Sequence, residues 1–176
     1  MYKNIFITGN IKVGKSTLLQ NVIGELQGTI AGFKTLPIMK DELRLGFIIA
    51  PWEYNEEKLH GRYIAKHLSD GNWIIFPKVF DTFGVKILYE SLNKNPSLII
   101  MDELGFFESH SLAFQKRVHL CLDSPIPVLG VIKPVETPFL NSIRERKDVL
   151  ILEISESNRE DQKKLLIELY RKSICV

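Results

Sequence analysis

The fold is decided by residues 5–16, which read Ile5-Phe6-Ile7-Thr8-Gly9-Asn10-Ile11-Lys12-Val13-Gly14-Lys15-Ser16. The stretch opens with a short apolar run, which is typical of a strand covered on both faces. It continues with residues 9–16, which match the pattern G-x-x-x-x-G-K-[ST]. Apolar residues then recur with the spacing of an amphipathic helix, at Leu18, Leu19, Val22, Ile23 and Leu26. A strand, a glycine-rich loop and a helix in this order predict a phosphate-binding loop.

The residue types of this loop suit a polyphosphate ligand. Glycines let backbone N–H groups turn toward a phosphate, and the N-terminus of the following helix adds partial positive charge. Lys15 is predicted to bridge the β- and γ-phosphates as a mobile point charge. The Ser16 hydroxyl is predicted to complete a Mg²⁺ shell that keeps several waters. We therefore expect the loop to bind a nucleotide.

Further apolar runs at residues 98–101, 128–132 and 149–152 indicate three more buried strands. Helical patterns lie between the strands, and the chain ends in a last helix with its own apolar stripe. This alternation predicts an α/β fold with a mainly parallel sheet, helices on both faces and right-handed connections.

One part of the chain breaks the alternation. Residues 30–36 and 43–50 look like two strands separated by Pro37 and a polar turn, which predicts an antiparallel hairpin at the edge of the sheet. The signals in residues 51–80 are weak, and the sequence gives no assignment there.

Composition bounds the remaining possibilities. The chain has 176 residues, of which 45% are hydrophobic and 25% charged, with a net charge of +2. These values predict one domain over residues 1–176, with no dedicated surface for nucleic acid. Apolar runs are too short to span a membrane, and the N-terminal one is too short for a signal peptide. We therefore expect a cytoplasmic protein, and we also expect a monomer. Without a secretory context or a Cys-x-x-Cys spacing, Cys121 and Cys175 are interpreted as free thiols.

A second group of residues stands at the end of a predicted strand. The apolar run 98–101 is followed by Asp102 and Glu103. Because successive side chains of a strand point to opposite sides, the two carboxylates are expected to face different directions. Asp102 is then suited to reach Mg²⁺, and Glu103 to orient or deprotonate a water that attacks the γ-phosphate.

Other segments of the chain add a longer pattern. They are Gly32-Phe33-Lys34-Thr35 with Leu45-Gly46-Phe47, Asp102-Glu103-Leu104-Gly105 with Glu108, Ser109 and Phe114, Arg144-Glu145-Arg146-Lys147-Asp148-Val149, and Asn158-Arg159. Together with the loop, they resemble the small P-loop nucleoside-triphosphatases first described from thermophiles, whose human relative is the cancer-related nucleoside-triphosphatase. The resemblance implies a three-layer, RecA-like P-loop fold. It also implies Mg²⁺-dependent hydrolysis of ATP, GTP and other nucleoside triphosphates to the diphosphate, with broad base tolerance.

The chain departs from this family at three positions. The family commonly has Pro and Gly where this chain has Ile11 and Lys12, and it often has Lys where Phe106 stands. Losing a cation near the second carboxylate removes one group that could neutralise charge in the transition state. Our hypothesis from the sequence is that Lys12 compensates.

The residues predicted to contact the nucleotide belong to the loop and to the carboxylate strand: Gly9, Asn10, Ile11, Lys12, Val13, Gly14, Lys15, Ser16, Thr17, Asp102, Glu103 and Gly105. Of these, Lys15 and Glu103 are the predicted catalytic residues, and Ser16 and Asp102 are the predicted Mg²⁺ ligands.

Further charged residues have two interpretations each. Arg144, Arg146 or Arg159 is a candidate arginine finger, although surface ion pairing is favoured for each one. Glu108 is interpreted either as a substrate or metal contact or as a solvated acid at a helix start.

Two other functions use the same loop. A kinase for a small molecule or a nucleic-acid end would need an acceptor pocket and an arginine-rich lid, and the sequence shows no compact arginine-rich segment. A nucleotide-responsive binding module would use slow hydrolysis only to reset its conformation.

Overall fold

The computed structural model describes residues 2–54 and 62–174, with side chains to residue 171. Its centre is an eight-stranded sheet in the order β5-β4-β3-β2-β6-β7-β1-β8. The strands are β1 (Asn4–Thr8), β2 (Ile30–Lys40), β3 (Leu43–Pro51), β4 (Arg62–His67), β5 (Trp73–Ile75), β6 (Leu98–Leu104), β7 (Val128–Ile132) and β8 (Val149–Glu153).

The parallel half of the sheet confirms the strands predicted from apolar runs. Strands β2, β6, β7, β1 and β8 are neighbours, and each adjacent pair is parallel. Their continuous apolar character follows from burial on both faces, since Ile5, Phe6 and Ile7 of β1 are each 1% exposed or less. Because these strands run the same way, the segments that follow β1, β6 and β7 all leave the sheet at the carboxyl ends of the strands.

The predicted hairpin is present, but it does not lie at the sheet edge. Strand β2 pairs antiparallel with β3 on one side and parallel with β6 on the other. Strands β4 and β5 extend the antiparallel half beyond β3, so that β5 forms the edge. Both added strands come from the part of the chain that the sequence left unassigned; residues 55–61 of that part lie outside the described residues.

Helices cover both faces, which confirms the three-layer α/β architecture. They are α1 (Lys15–Glu25), α2 (Pro77–Val79), α3 (Val85–Asn93), α4 (Leu112–Asp123), α5 (Pro138–Arg144) and α6 (Arg159–Ile174). A π-helical turn at Phe80–Gly84 joins α2 to α3, and a 3₁₀ turn at Phe107–His110 precedes α4. Helices α1 and α6 share one apolar cluster with the sheet, while α3, α4 and α5 share the other.

The structure bears on two predictions from the sequence, one about membrane-spanning helices and one about free cysteines. No helix within the described ranges is both long and apolar enough to cross a membrane. Cys121 is buried with a free thiol, while Cys175 falls outside the residues that the structure describes.

We predict that Tyr170→Phe lowers the free energy of unfolding by about 1–2 kcal/mol, because it removes a buried hydrogen bond. Tyr170 is 1% exposed, and its hydroxyl donates to the carbonyl oxygen of Val128 at 2.7 Å, which joins α6 to β7. Urea unfolding measures the change. Tyr89→Phe is the matched control, because Tyr89 is 51% exposed; equal stability of the two variants would contradict the prediction.

Candidate active site

The loop after β1 is shaped by two glycines with positive φ. Gly9 has a φ of 143° and Gly14 a φ of 89°. A Cβ on Gly9 would collide with the carbonyl oxygen of Ile154, and one on Gly14 would lie 2.7 Å from Nη1 of Arg159. Only glycine fits both positions without rearrangement. The chain thereby turns directly from β1 into α1, whose first residue is Lys15.

The Lys15 ammonium lies against the loop itself. Its Nζ donates to the carbonyl oxygens of Gly9, at 2.8 Å, and Asn10, at 2.7 Å. Burial lowers the pKa of Lys15; the charge of Lys133 acts in the same direction, and those of Glu103 and Asp102 oppose it. Both predicted catalytic residues therefore belong to one electrostatic group.

Asp102 lies at the end of β6, beside the start of α1. The nearby Ser16 hydroxyl lowers the pKa of this carboxylate, so the two predicted Mg²⁺ ligands are neighbours. Burial raises the pKa of Asp102 to about 7, helped by the charge of Glu103 and opposed by Lys15, Ser16 and Lys34. A carboxyl with this environment gains strongly from a nearby cation.

The backbone of the two carboxylate residues is held by β2. The Thr35 hydroxyl donates to the carbonyl oxygen of Asp102 at 3.3 Å and accepts from the N–H of Glu103 at 3.3 Å. The peptide bond between the two acids is cis, and the pairing of β6 with β7 is irregular between Met101 and Leu104. The pairing of β6 with β7 is thus interrupted at the two acids, while Asp102 still pairs with Lys34 of β2.

Glu103 is paired with a lysine that is not among the residues predicted from the sequence. Oε1 of Glu103 lies 2.9 Å from Nζ of Lys133, the residue that follows β7. The backbone of Lys133 is fixed by its N–H, which donates to Leu104 at 2.9 Å, and by its carbonyl, which accepts from Arg144 at 2.6 Å.

A cleft of about 610 Å³ runs along the loop and joins these groups. It is lined by Gly9, Ile11, Lys12, Gly14, Lys15, Ser16, Thr17, Arg44, Phe47, Glu103, Phe106, Lys133, Pro134 and Val135. Eight of these were predicted as nucleotide contacts. The hairpin contributes Arg44, whose guanidinium carbon lies 5.2 Å from the centroid of the Phe47 ring.

Four other predicted contacts have different surroundings. Val13 packs in the core on the side of α1, and Asn10 is exposed, with its carbonyl bonded to Lys15. Asp102 is partly buried behind the Ser16 hydroxyl. Gly105 is buried, and its N–H donates to Oε2 of Glu108 at 3.0 Å. The structure therefore places Gly105 behind the cleft wall rather than on it.

Glu108 matches neither interpretation from the sequence, because it is 2% exposed and does not line the cleft. Burial raises its pKa to about 7; the N–H of Gly105 and the charge of Lys133 oppose this shift, while that of Glu103 adds to it. Glu108 thus stabilises the turn after β6 from the buried side of that turn.

The three candidate arginines have different surroundings. Arg146 forms ion pairs with Asp148 and Asp123, both at 2.8 Å, which agrees with the ion pairing favoured from the sequence. Arg144 donates to Asn141 at 2.8 Å and to the backbone of Lys133. Arg159, at the start of α6, lies beside Gly14 of the loop.

The missed residues carried usable signals. Lys133 directly follows the apolar run of a parallel strand, and the ends of such strands share one edge of the sheet. Arg44 directly precedes the Leu45-Gly46-Phe47 element of the hairpin, to which Phe47 belongs.

Comparison with known proteins gives consistent matches. The model of the NTPase family matches residues 4–167. Nucleoside-triphosphatase THEP1 of Thermotoga maritima is 34% identical over 155 residues, which cover 88% of each chain. The cancer-related nucleoside-triphosphatase homolog of Mus musculus is 27% identical over 90% of this chain and 92% of its own length. The crystal structure of THEP1 from Aquifex aeolicus shares the fold, with a TM-score of 0.75 at 22% identity, covering 95% of this chain and 98% of that one.

We predict that Glu108→Gln stabilises the protein more at pH 8 than at pH 5. The ordinary pKa of 4.5 applies in the unfolded chain, and the folded pKa is about 7. The folded protein therefore retains a proton that the unfolded chain releases, and stability falls as pH rises from about 4.5 to 7. The loss is at most on the order of 3 kcal/mol.

Glutamine stays neutral at both pH values, and its side-chain oxygen can still accept from Gly105. Urea unfolding of wild type and Glu108→Gln at the two pH values measures the difference. Glu136→Gln is the control, because Glu136 is exposed. Parallel pH profiles for wild type and Glu108→Gln would show that Glu108 does not titrate in this way.

Proposed function

Because the chain belongs to the NTPase family and is a nucleoside-triphosphatase, we propose that it hydrolyses Mg²⁺-bound ATP, GTP and other nucleoside 5′-triphosphates to the diphosphate and phosphate. One observation carries the proposal. Ser16 at the start of α1 neighbours Asp102 and lowers the pKa of its carboxylate, and Glu103 lines the cleft along the same loop. Phosphate-binding groups, oxygen ligands for a cation and a carboxylate base are thus adjacent.

The loop supplies the binding of the phosphates. Its backbone N–H groups and the N-terminus of α1 present partial positive charge to an anion. Lys15 adds a full charge, and its ammonium donates to the carbonyl oxygens of Gly9 and Asn10. A triphosphate offers this ammonium stronger, charged acceptors, so we expect Lys15 to move to the β- and γ-phosphate oxygens.

The residues present fit Mg²⁺. The Ser16 hydroxyl and the Asp102 carboxylate are neighbouring hard oxygen donors, and burial leaves Asp102 in need of a compensating cation. No cluster of three or more His, Cys, Asp or Glu suited to a metal occurs within the described part of the chain. This suits Mg²⁺, which keeps several waters and takes phosphate oxygens as ligands. When bound, Mg²⁺ neutralises charge on the β- and γ-phosphates.

Glu103 is the proposed base. It orients a water toward the γ-phosphorus and accepts a proton from it as the new P–O bond forms. The bond between the γ-phosphorus and the bridging oxygen breaks, and the diphosphate leaves with that electron pair. Glu103 is suited to this role because it lines the cleft, whereas Asp102 is engaged by Ser16.

Apolar groups in the cleft support broad base tolerance. Ile11 and Phe106 are 89% and 43% exposed, and both line the cleft with Pro134 and Val135. Such groups contact the face of any base without reading its polar edge. The same proposal includes a cytoplasmic monomer, and the near-neutral charge of +2 supports the absence of a dedicated surface for nucleic acid.

We predict that Glu103→Gln lowers kcat for phosphate release by roughly 10²- to 10⁴-fold while nucleotide affinity stays near that of wild type. The amide keeps the size of the side chain but accepts protons poorly. Phosphate release from ATP, GTP, CTP and UTP, with and without Mg²⁺, and calorimetric titration with a non-hydrolysable analogue give both quantities.

Glu136→Gln serves as the matched control, since Glu136 is exposed and outside the cleft lining. Undiminished hydrolysis by Glu103→Gln would exclude Glu103 as the base. Label from the γ-phosphate that appears on an acceptor faster than as free phosphate would indicate a kinase instead.

A further inference from the structure

Lys133 places a second ammonium group in the nucleotide cleft. It follows β7, the strand between β6 and β1, and lines the cleft together with Lys15 and Glu103. Its side chain is 28% exposed, and its backbone is fixed on both sides by hydrogen bonds to Leu104 and from Arg144. The base of this side chain is therefore held rigidly relative to the end of β6.

The walls around the Lys133 ammonium are aromatic. Its Nζ lies 6.0 Å from the ring centroid of Phe47, 5.9 Å from that of Phe106 and 5.6 Å from that of Phe107. Gly105 makes room for the stem, because a Cβ there would lie 3.0 Å from Cδ of Lys133. Rings attract the cation and exclude water, which strengthens its interaction with any anion in the cleft.

Two lysines and two carboxylates lie near one another at the end of the cleft. They are Lys15, Lys133, Asp102 and Glu103, and the charges of the other three all act on the pKa of Lys15. A Mg²⁺-bound triphosphate brings further negative charge into this group. Lys133 is the cation positioned to meet that charge on the side of Glu103, where the attacking water is proposed to lie.

Other cleft cations are less suited to this role. Lys12 and Arg44 are both exposed, and neither has an acidic partner among residues 2–54 and 62–171. Lys133 alone of these cations contacts Glu103. The position beside the second carboxylate that the sequence left without a cation is thus filled from the neighbouring strand.

We propose that Lys133 is a second catalytic lysine, which contacts the γ-phosphate and neutralises the charge that develops on its oxygens during hydrolysis. This proposal rests on the proposed function, in which Glu103 directs the water. In the substrate-free protein the ammonium holds Glu103; with substrate bound it lies between Glu103 and the phosphate. No bond to Lys133 forms or breaks, and its proton count does not change.

The first test is Lys133→Met, which keeps an unbranched apolar stem against the rings and removes the charge. We expect kcat to fall by about 10²- to 10³-fold, the range seen when one preorganised donor to a transition-state oxyanion is removed. Affinity for a Mg²⁺-bound non-hydrolysable ATP analogue should change by much less. Thermal unfolding checks that the variant is folded, and full turnover by folded Lys133→Met would overturn the proposal.

The second test restores the cation from another position. The ring of Phe106 lies on the same cleft wall, 5.9 Å from the Lys133 ammonium, so a lysine there can reach the same place. We expect Phe106→Lys in the Lys133→Met background to recover kcat by about tenfold or more. Phe106→Met in that background is the matched control, since it removes the ring without adding charge. Equal kcat for the two double variants would count against a role for the charge.

A third comparison separates this proposal from that for Glu103. If Lys133 contacts the phosphate, the Glu103→Gln/Lys133→Met variant turns over more slowly than Glu103→Gln alone. Equal turnover means that Lys133 acts only by holding Glu103, which overturns the proposal. If Glu103→Gln alone keeps full turnover while Lys133→Met does not, the base is excluded and the role of the lysine stands.

Discussion

The active site depends on one backbone constraint, which is the tight passage from β1 into α1. Two glycines with positive φ allow the chain to turn within a few residues, and both are packed against other backbone or side-chain atoms where a Cβ would collide. The turn directs the N-terminus of α1 toward the cleft and places Ser16 against Asp102. A longer or wider connection would separate the hydroxyl from the carboxylate, and with them the proposed Mg²⁺ ligands.

The parallel half of the sheet completes the site because its strands all run in the same direction. Strands β1, β6 and β7 are neighbours that run the same way, so the residues that follow them meet at the edge formed by the carboxyl ends of these strands. This edge receives the loop from β1, the two acids from β6 and Lys133 from β7. The antiparallel half adds the hairpin residues Arg44 and Phe47 across the cleft. The arrangement also has a cost in stability, because Asp102 and Glu108 are carboxyls whose pKa values burial raises to about 7.

Much of this could be predicted from the sequence, because the strongest signals are local. The loop pattern is continuous in the chain, and strands buried on both faces are continuous apolar runs. Strands β4 and β5 were not predicted, since β5 is only three residues long and both are partly exposed. The hairpin was predicted, but its place inside the sheet depends on these later strands. Glu108 and Lys133 were misjudged or missed because burial and pairing depend on contacts between distant segments.

The central claim is that the loop of residues 9–16 holds the triphosphate, with Ser16 and Asp102 on a shared Mg²⁺ and Glu103 facing the γ-phosphate. A crystal structure of the protein with Mg²⁺ and a non-hydrolysable ATP analogue tests this most directly. We expect phosphate oxygens at hydrogen-bond distance from the loop N–H groups and from the Lys15 ammonium, with the metal between the phosphates and the Ser16 hydroxyl. A nucleotide bound elsewhere, with the loop empty and Lys15 still on the carbonyls of Gly9 and Asn10, would contradict it.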